Sequence, residues 1–203
     1  PYLIHNNPNA QADPGEGHFV VEALEGEQLK SGFIASGDNH YALPGGHTAE
    51  SSVQSQKYWP GIAGVYAPEL TREAIFTAHK KGHTFATTGE RMPLFVKVNG
   101  RWFANDVVTT GRPNFEIWAA GTTDLLSVDL IRDGDVIESW SPTADVARLT
   151  YTDAGLEEGK HFYYVRIKQN DYFGDDVLGN PLHSTAWSSP VWVNYSRPVE
   201  EPN

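Results

Sequence analysis

Apolar and polar residues alternate in short runs through the second half of the chain, and each run ends on a turn former. Leu94 to Val98 alternates and meets Asn99-Gly100, a pair that reverses a β-hairpin, with Trp102 and Phe103 on the return. Phe115 to Trp118 alternates as well. Leu126 to Ile131 runs into Asp133-Gly134 and comes back through Val136, Ile137 and Glu138, a second hairpin. Phe162 to Ile167 and Ser189 to Tyr195 complete at least seven strand-like runs, with no strong helical period among them. The pattern predicts an antiparallel β-sandwich of about 100 residues.

Upstream of Pro93 the texture differs. Phe19, Val20, Ala23 and Leu24 recur at helical spacing and predict a short amphipathic helix within Phe19 to Leu29. Phe33, Ile34 and Ala35, bounded by Gly32 and Gly37, suggest a buried strand. A long loop rich in Gly, Ser, Pro and Gln then runs from Ala42 to Pro60. Ile62 to Ala67 forms a further strand. Thr71 caps a helix that has Glu73 in its first turn, Lys80-Lys81 near its end and Gly82 as its stop. His83 to Ala86 returns as a strand. Helices alternating with strands predict an α/β unit over 1–92, followed by an all-β unit over 93–203, with the boundary at Met92-Pro93.

Asp38 and His40 follow the Phe33 run and lie one residue apart. In an extended segment, positions two apart project to one side, so a carboxylate and an imidazole can reach one point. Such a donor set suits Zn²⁺, Mn²⁺ or Fe²⁺. The competing reading is that Asp38 opens a turn and His40 is an ordinary loop histidine. His47, in the loop that follows, is a candidate third ligand or substrate contact. Arg72 and Arg91 are candidates for gripping an anionic group, against a role in pairing scaffold carboxylates. His79 and His83 are four apart, yet Gly82 ends the helix between them and separates their faces. Asp171, Asp175 and Asp176 make the stretch from Asn170 to Ser184 acidic, without the spacing of a calcium-binding loop.

Six blocks occur in one order: Gly32 to His40, Pro44 to Gly46, Gly64 to Ala67, Leu70 to Phe76, Thr84 to Arg91, and Ala186 to Val193. Together they resemble the C-terminal part of a bacterial domain-of-unknown-function family related to the PHP (polymerase and histidinol phosphatase) metal-dependent hydrolases. The resemblance is dense from Gly32 to Arg91 and rests later only on the Trp-Ser-Ser-Pro block. It implies the C-terminal remnant of a distorted PHP-like α/β barrel, with Asp38 and His40 matching the family's Asp-x-His metal ligands. The family's other ligands lie upstream, beginning with a His-x-His pair, and none of the eight histidines here is so spaced. The chain would then be a fragment contributing part of a di- or trinuclear site. The missing N-terminal part of its parent would be its partner and a small anionic ester its substrate. A phosphoesterase-like hydrolysis by metal-bound hydroxide is implied for the parent, and inactivity for the fragment alone.

Composition narrows these readings. A content of 39% hydrophobic and 12% aromatic residues is that of a folded globular chain. Fifteen basic against 26 acidic residues give a net charge of −11, which disfavours nucleic acid. There is no cysteine and no apolar run long enough to span a bilayer. The chain opens on Pro1 and its one methionine is Met92, so an upstream segment is expected to be missing, and a periplasmic or secreted location is favoured over the cytoplasm. The alternative to the hydrolase fragment is a non-catalytic β-sandwich binding module for carbohydrate or a protein partner, with a structural α/β cap. A solvent-facing row of Trp or Tyr on one sheet would favour that alternative. Trp118, Trp140 and Trp192 lie in or beside strand runs and are expected in the core.

Overall fold

Alternating burial in β3 (Leu94–Val98) and β6 (Asn114–Ala120), and burial on both faces of β10 (Gly159–Gln169), produce two sheets that face each other across a shared core. The computed structural model describes residues 20–25, 30, 32–36, 61–102, 106–172 and 181–198. The smaller sheet has the order β4 (Arg101–Trp102), β3 (Leu94–Val98), β6 (Asn114–Ala120), β9 (Val146–Thr152), all antiparallel. The larger one centres on β10 (Gly159–Gln169), which pairs β7 (Leu125–Arg132) along one edge; β8 (Asp135–Trp140) continues beyond β7. Its other edge pairs β11 (Thr185–Ser188) and β12 (Val191–Tyr195) in succession. The ladder breaks between them at Ser189-Pro190, since proline has no N–H to donate. Beyond the break the sheet divides: β12 is flanked by a parallel β5 (Asp106–Thr109), and β11 by β2 (Thr84–Thr87) and then β1 (Ile62–Val65).

Both expected hairpins form. Asn99 and Gly100 (φ 50° and 74°) join β3 to β4, and Asp133 and Gly134 (φ 51° and 90°) join β7 to β8. Positive φ at both central positions matches the twist of the flanking strands.

Leu94, Val96, Val98, Phe115 and Ile117 of the smaller sheet meet Val128, Leu130, Tyr163, Val165 and Ile167 of the larger one in a single buried cluster. Phe115 and Tyr163 touch across it with ring centroids 4.7 Å apart. The opposite face of the larger sheet buries a second set, Ile131, Phe162, Tyr164, Trp187 and Trp192. Leu24 of α1 (Val20–Glu25) and Phe33 pack onto it.

Among the described residues before Pro93, the barrel expectation made for 1–92 is overturned. β1 and β2 are antiparallel, although α2 (Arg72–Lys80) lies between them, and they extend the sandwich sheet through β11. A parallel barrel requires each strand to run beside the next in the same direction. Gly32 to Ser36 also makes no strand. Phe33 is buried, but Ile34 is 59% exposed, and the segment is held by Phe33 N donating to Ser189 Oγ at 2.8 Å. The chain passes so close here that a Cβ on Gly32 would stand 2.6 Å from Gly82 Cα. The α2 expectations hold: Thr71 Oγ1 accepts from Ala74 N at 3.2 Å, and Gly82 at φ 64° ends the helix before His83.

One buried carboxylate ties the sandwich together. Asp153, 2% exposed, accepts from Arg132 Nη1 at 2.7 Å, from the Tyr163 hydroxyl at 2.8 Å and from Gly155 N at 3.0 Å. Asp153→Ala would leave Tyr163 and Arg132 without their acceptor and is expected to cost about 3 kcal/mol of stability, against about 1 kcal/mol for Tyr163→Phe. Urea unfolding followed by circular dichroism checks this; equal costs for the two variants would contradict it.

Candidate functional site

The residues singled out by sequence do not assemble among the described residues. Asp38, His40 and His47 lie outside them, as do Asp175 and Asp176. Arg72 opens α2 and Arg91 follows β2; both are exposed, and neither pairs with a described carboxylate. Asp171 is occupied structurally, accepting from Gln169 Nε2 and from Ser184 N at 2.8 Å each. No group of three or more His, Asp or Glu among the described residues is placed to hold a metal ion.

The outer face of the four-stranded sheet carries a different constellation. On β6, Phe115, Ile117 and Ala119 point into the core, so Glu116 and Trp118 point out; on β3 the outward pair is Phe95 and Lys97. Register places Phe95, Trp118 and Arg148 side by side on three strands, and Trp102, Lys97 and Glu116 beside them. Trp118 is 41% exposed and Trp102 39% exposed. This corrects the core expectation for Trp118, whose place on the strand is that of Glu116 rather than that of Ile117. Trp192 is buried as expected, and Trp140 is half-buried against the core rim, 6.2 Å from Tyr151.

The indoles meet edge to face, with centroids 5.4 Å apart at 81°. Lys97 Nζ lies 4.4 Å from the Trp102 centroid and 5.7 Å from that of Trp118, and 3.5 Å from Glu116 Oε2. Arg148 Cζ lies 5.3 Å from the Trp118 ring. Each such contact is worth about 0.5 to 1 kcal/mol and fixes the rings in place. The aromatic run continues inward from Trp102 to Phe95 at 6.1 Å, then to Tyr66 and Phe85 at 5.2 Å each. Gly64 faces Phe85 across the β1–β2 ladder and leaves room for that ring, which a Cβ would overlap at 1.9 Å. Burial pushes the Tyr66 phenol well above the usual tyrosine range, so it stays neutral as part of the support beneath the patch.

A family model described as a protein of unknown function (DUF3604) matches residues 46–121, which take in β1 to β6 and both exposed indoles. An uncharacterized protein of Chlamydia pneumoniae is 27% identical over 192 residues, covering 86% of this chain and 28% of its own length. One from Chlamydia trachomatis is 25% identical with the same coverage. The chain thus spans 28% of the length of these curated relatives. Among solved structures, the CARDB domain of a Pyrococcus furiosus protein in complex with di-metal ions aligns at 10% identity and a TM-score of 0.34, over 53% of this chain and 89% of that domain. Fibronectin(III)-like modules of Clostridium thermocellum CbhA align at 22% identity and a TM-score of 0.28, over 50% of this chain and 99% of that one.

These findings correct the PHP resemblance. The matching family is described only as of unknown function, the two Chlamydia relatives are described only as uncharacterized, and the described strands form a sandwich rather than a barrel. The metal-binding hydrolase reading has no support among them. No helix among the described residues is long and apolar enough to cross a membrane.

Among the described tryptophans, Trp102 and Trp118 are exposed and Trp187 and Trp192 buried, with Trp140 between them. In photo-CIDNP spectra, which polarise only dye-accessible indoles, Trp102 and Trp118 are expected to give strong signals and Trp187 and Trp192 none, the latter two being 6% exposed each. Silence from Trp118 would place it in a core instead.

Proposed function

We propose that this chain is a non-catalytic β-sandwich module that docks, through the outer face of its four-stranded sheet, onto the remainder of a longer polypeptide. The observation that carries the reading is the Trp102–Trp118 pair, held in fixed geometry by Lys97 and Arg148 yet about two-fifths exposed. Tryptophan and arginine are the residue types enriched at interface hot spots, where a rigid aromatic centre is closed off by the partner. Covering what each indole still exposes would bury roughly 60 to 100 Å² and contribute about 2 kcal/mol.

The same pair argues against a polysaccharide platform. Sugar rings along a chain stack on aromatic faces that are free and share a plane, whereas these indoles stand at 81° with cations over them. The choice of partner follows from length. Relatives that align with most of this chain carry the greater part of their sequence outside the aligned region. A covalently linked neighbour needs no high affinity, since linkage holds it at high effective concentration.

The test places the photo-crosslinking residue p-benzoylphenylalanine at position 118 of the intact gene product, with products mapped by mass spectrometry. Cross-links to peptides of the same polypeptide outside residues 1–203 are expected. Absence of peptide cross-links, together with shifts of the Trp102 and Trp118 indole resonances on adding cellohexaose, would overturn the reading in favour of carbohydrate.

A further inference from the structure

The outer face of the larger sheet is apolar only where α1 and Phe33 cover it; further along the same face the side chains are polar and charged. Asp129, 5% exposed, is fully engaged there: one oxygen accepts from Ser139 Oγ at 2.7 Å, the other from Arg166 Nε at 3.0 Å and Nη2 at 2.8 Å. Lys168 follows Arg166 by two residues on β10 and so projects from the same face, about 7 Å away along the strand. Unlike Arg166, it has neither an ion pair nor a hydrogen bond among the described residues, although it is half-buried. Register sets it between two hydroxyl residues, Ser127 on β7 and the buried Thr185 on β11. Two cations and one carboxylate leave the cluster with one surplus positive charge, in a chain whose net charge is −11.

We infer that Lys168, with Arg166 and Ser127 beside it, forms a binding site for a small oxyanion, a carboxylate or phosphate group. Burial, and then the neighbouring Arg166, hold the Lys168 ammonium below the usual lysine range. A half-buried ammonium beside a cation, whose one nearby carboxylate, Asp129, already accepts from Arg166 and Ser139, is only partly neutralised, and an incoming oxyanion supplies further counter-charge. The arrangement favours an oxyanion over a neutral ligand, because both oxygens of Asp129 already accept hydrogen bonds and the groups left over can all donate: the Lys168 ammonium, the Ser127 hydroxyl and the remaining guanidinium N–H groups of Arg166. β10 is bonded on both sides, so the two cations stand on a rigid platform. This site lies on a different sheet from the aromatic face and stands independently of the docking proposal.

The test is a titration of the whole chain, followed by NMR of the lysine Cε–H groups, with sodium phosphate or sodium acetate replacing chloride at constant ionic strength. The Lys168 signal is expected to shift saturably with a midpoint of about 1 to 10 mM for at least one of the two anions, while the exposed Lys80 moves little. The anion that saturates identifies the group recognised, and Ser127→Ala is expected to raise the midpoint about two- to fivefold. Unsaturated shifts of Lys168 that track those of Lys80 for both anions would overturn the inference, and because that comparison is made on the unmodified chain it does not depend on any variant folding.

Discussion

Strand β10 serves two cores at once, and the rest of the molecule is arranged by that constraint. Tyr163, Val165 and Ile167 face the smaller sheet, while Phe162 and Tyr164 face the layer formed by Leu24 and Phe33. A strand buried on both faces cannot show the alternation that marks a half-exposed one, and its polar groups must be satisfied within the protein. Asp153 meets this demand for Tyr163, and Ser188 Oγ accepts from Val165 N at 2.9 Å where the ladder is interrupted. The division of the edge into β11 and β12 then allows two different extensions of one sheet, one of which carries β1, α2 and β2.

That extension supports the aromatic face. Phe85 of β2 lies over Gly64 and packs on Tyr66, Tyr66 packs on Phe95, and Phe95 meets Trp102. The exposed indoles are the outer end of a continuous stack rooted in the larger sheet. A patch anchored in this way loses little conformational entropy when it is covered, which is what a docking surface requires.

Much of the sandwich could be read from residue patterns alone, because hairpin signals such as Asn99-Gly100 and Asp133-Gly134 act locally and the inward residues of β3, β6 and β7 alternate. The helix at Arg72–Lys80 was equally legible from its cap at Thr71 and its stop at Gly82. What misled was long-range. Ile62–Val65 and Thr84–Thr87 look like the strands of an α/β unit, and only their pairing with each other and with β11 reveals a single sandwich sheet. Trp118 lies in a strand run, which by itself suggests a core position, while its alternation with Phe115 and Ile117 puts it outside. Lys168 could not have been singled out, because its lack of a partner depends on Arg166 claiming Asp129 across strands.

The central claim is that the sheet face carrying Trp102 and Trp118 docks onto residues elsewhere on a longer polypeptide. An experimental structure of that intact polypeptide tests it most directly. The account predicts that both indoles, 39% and 41% exposed in this chain, become buried against residues outside 1–203. Indoles equally open to solvent there would contradict it.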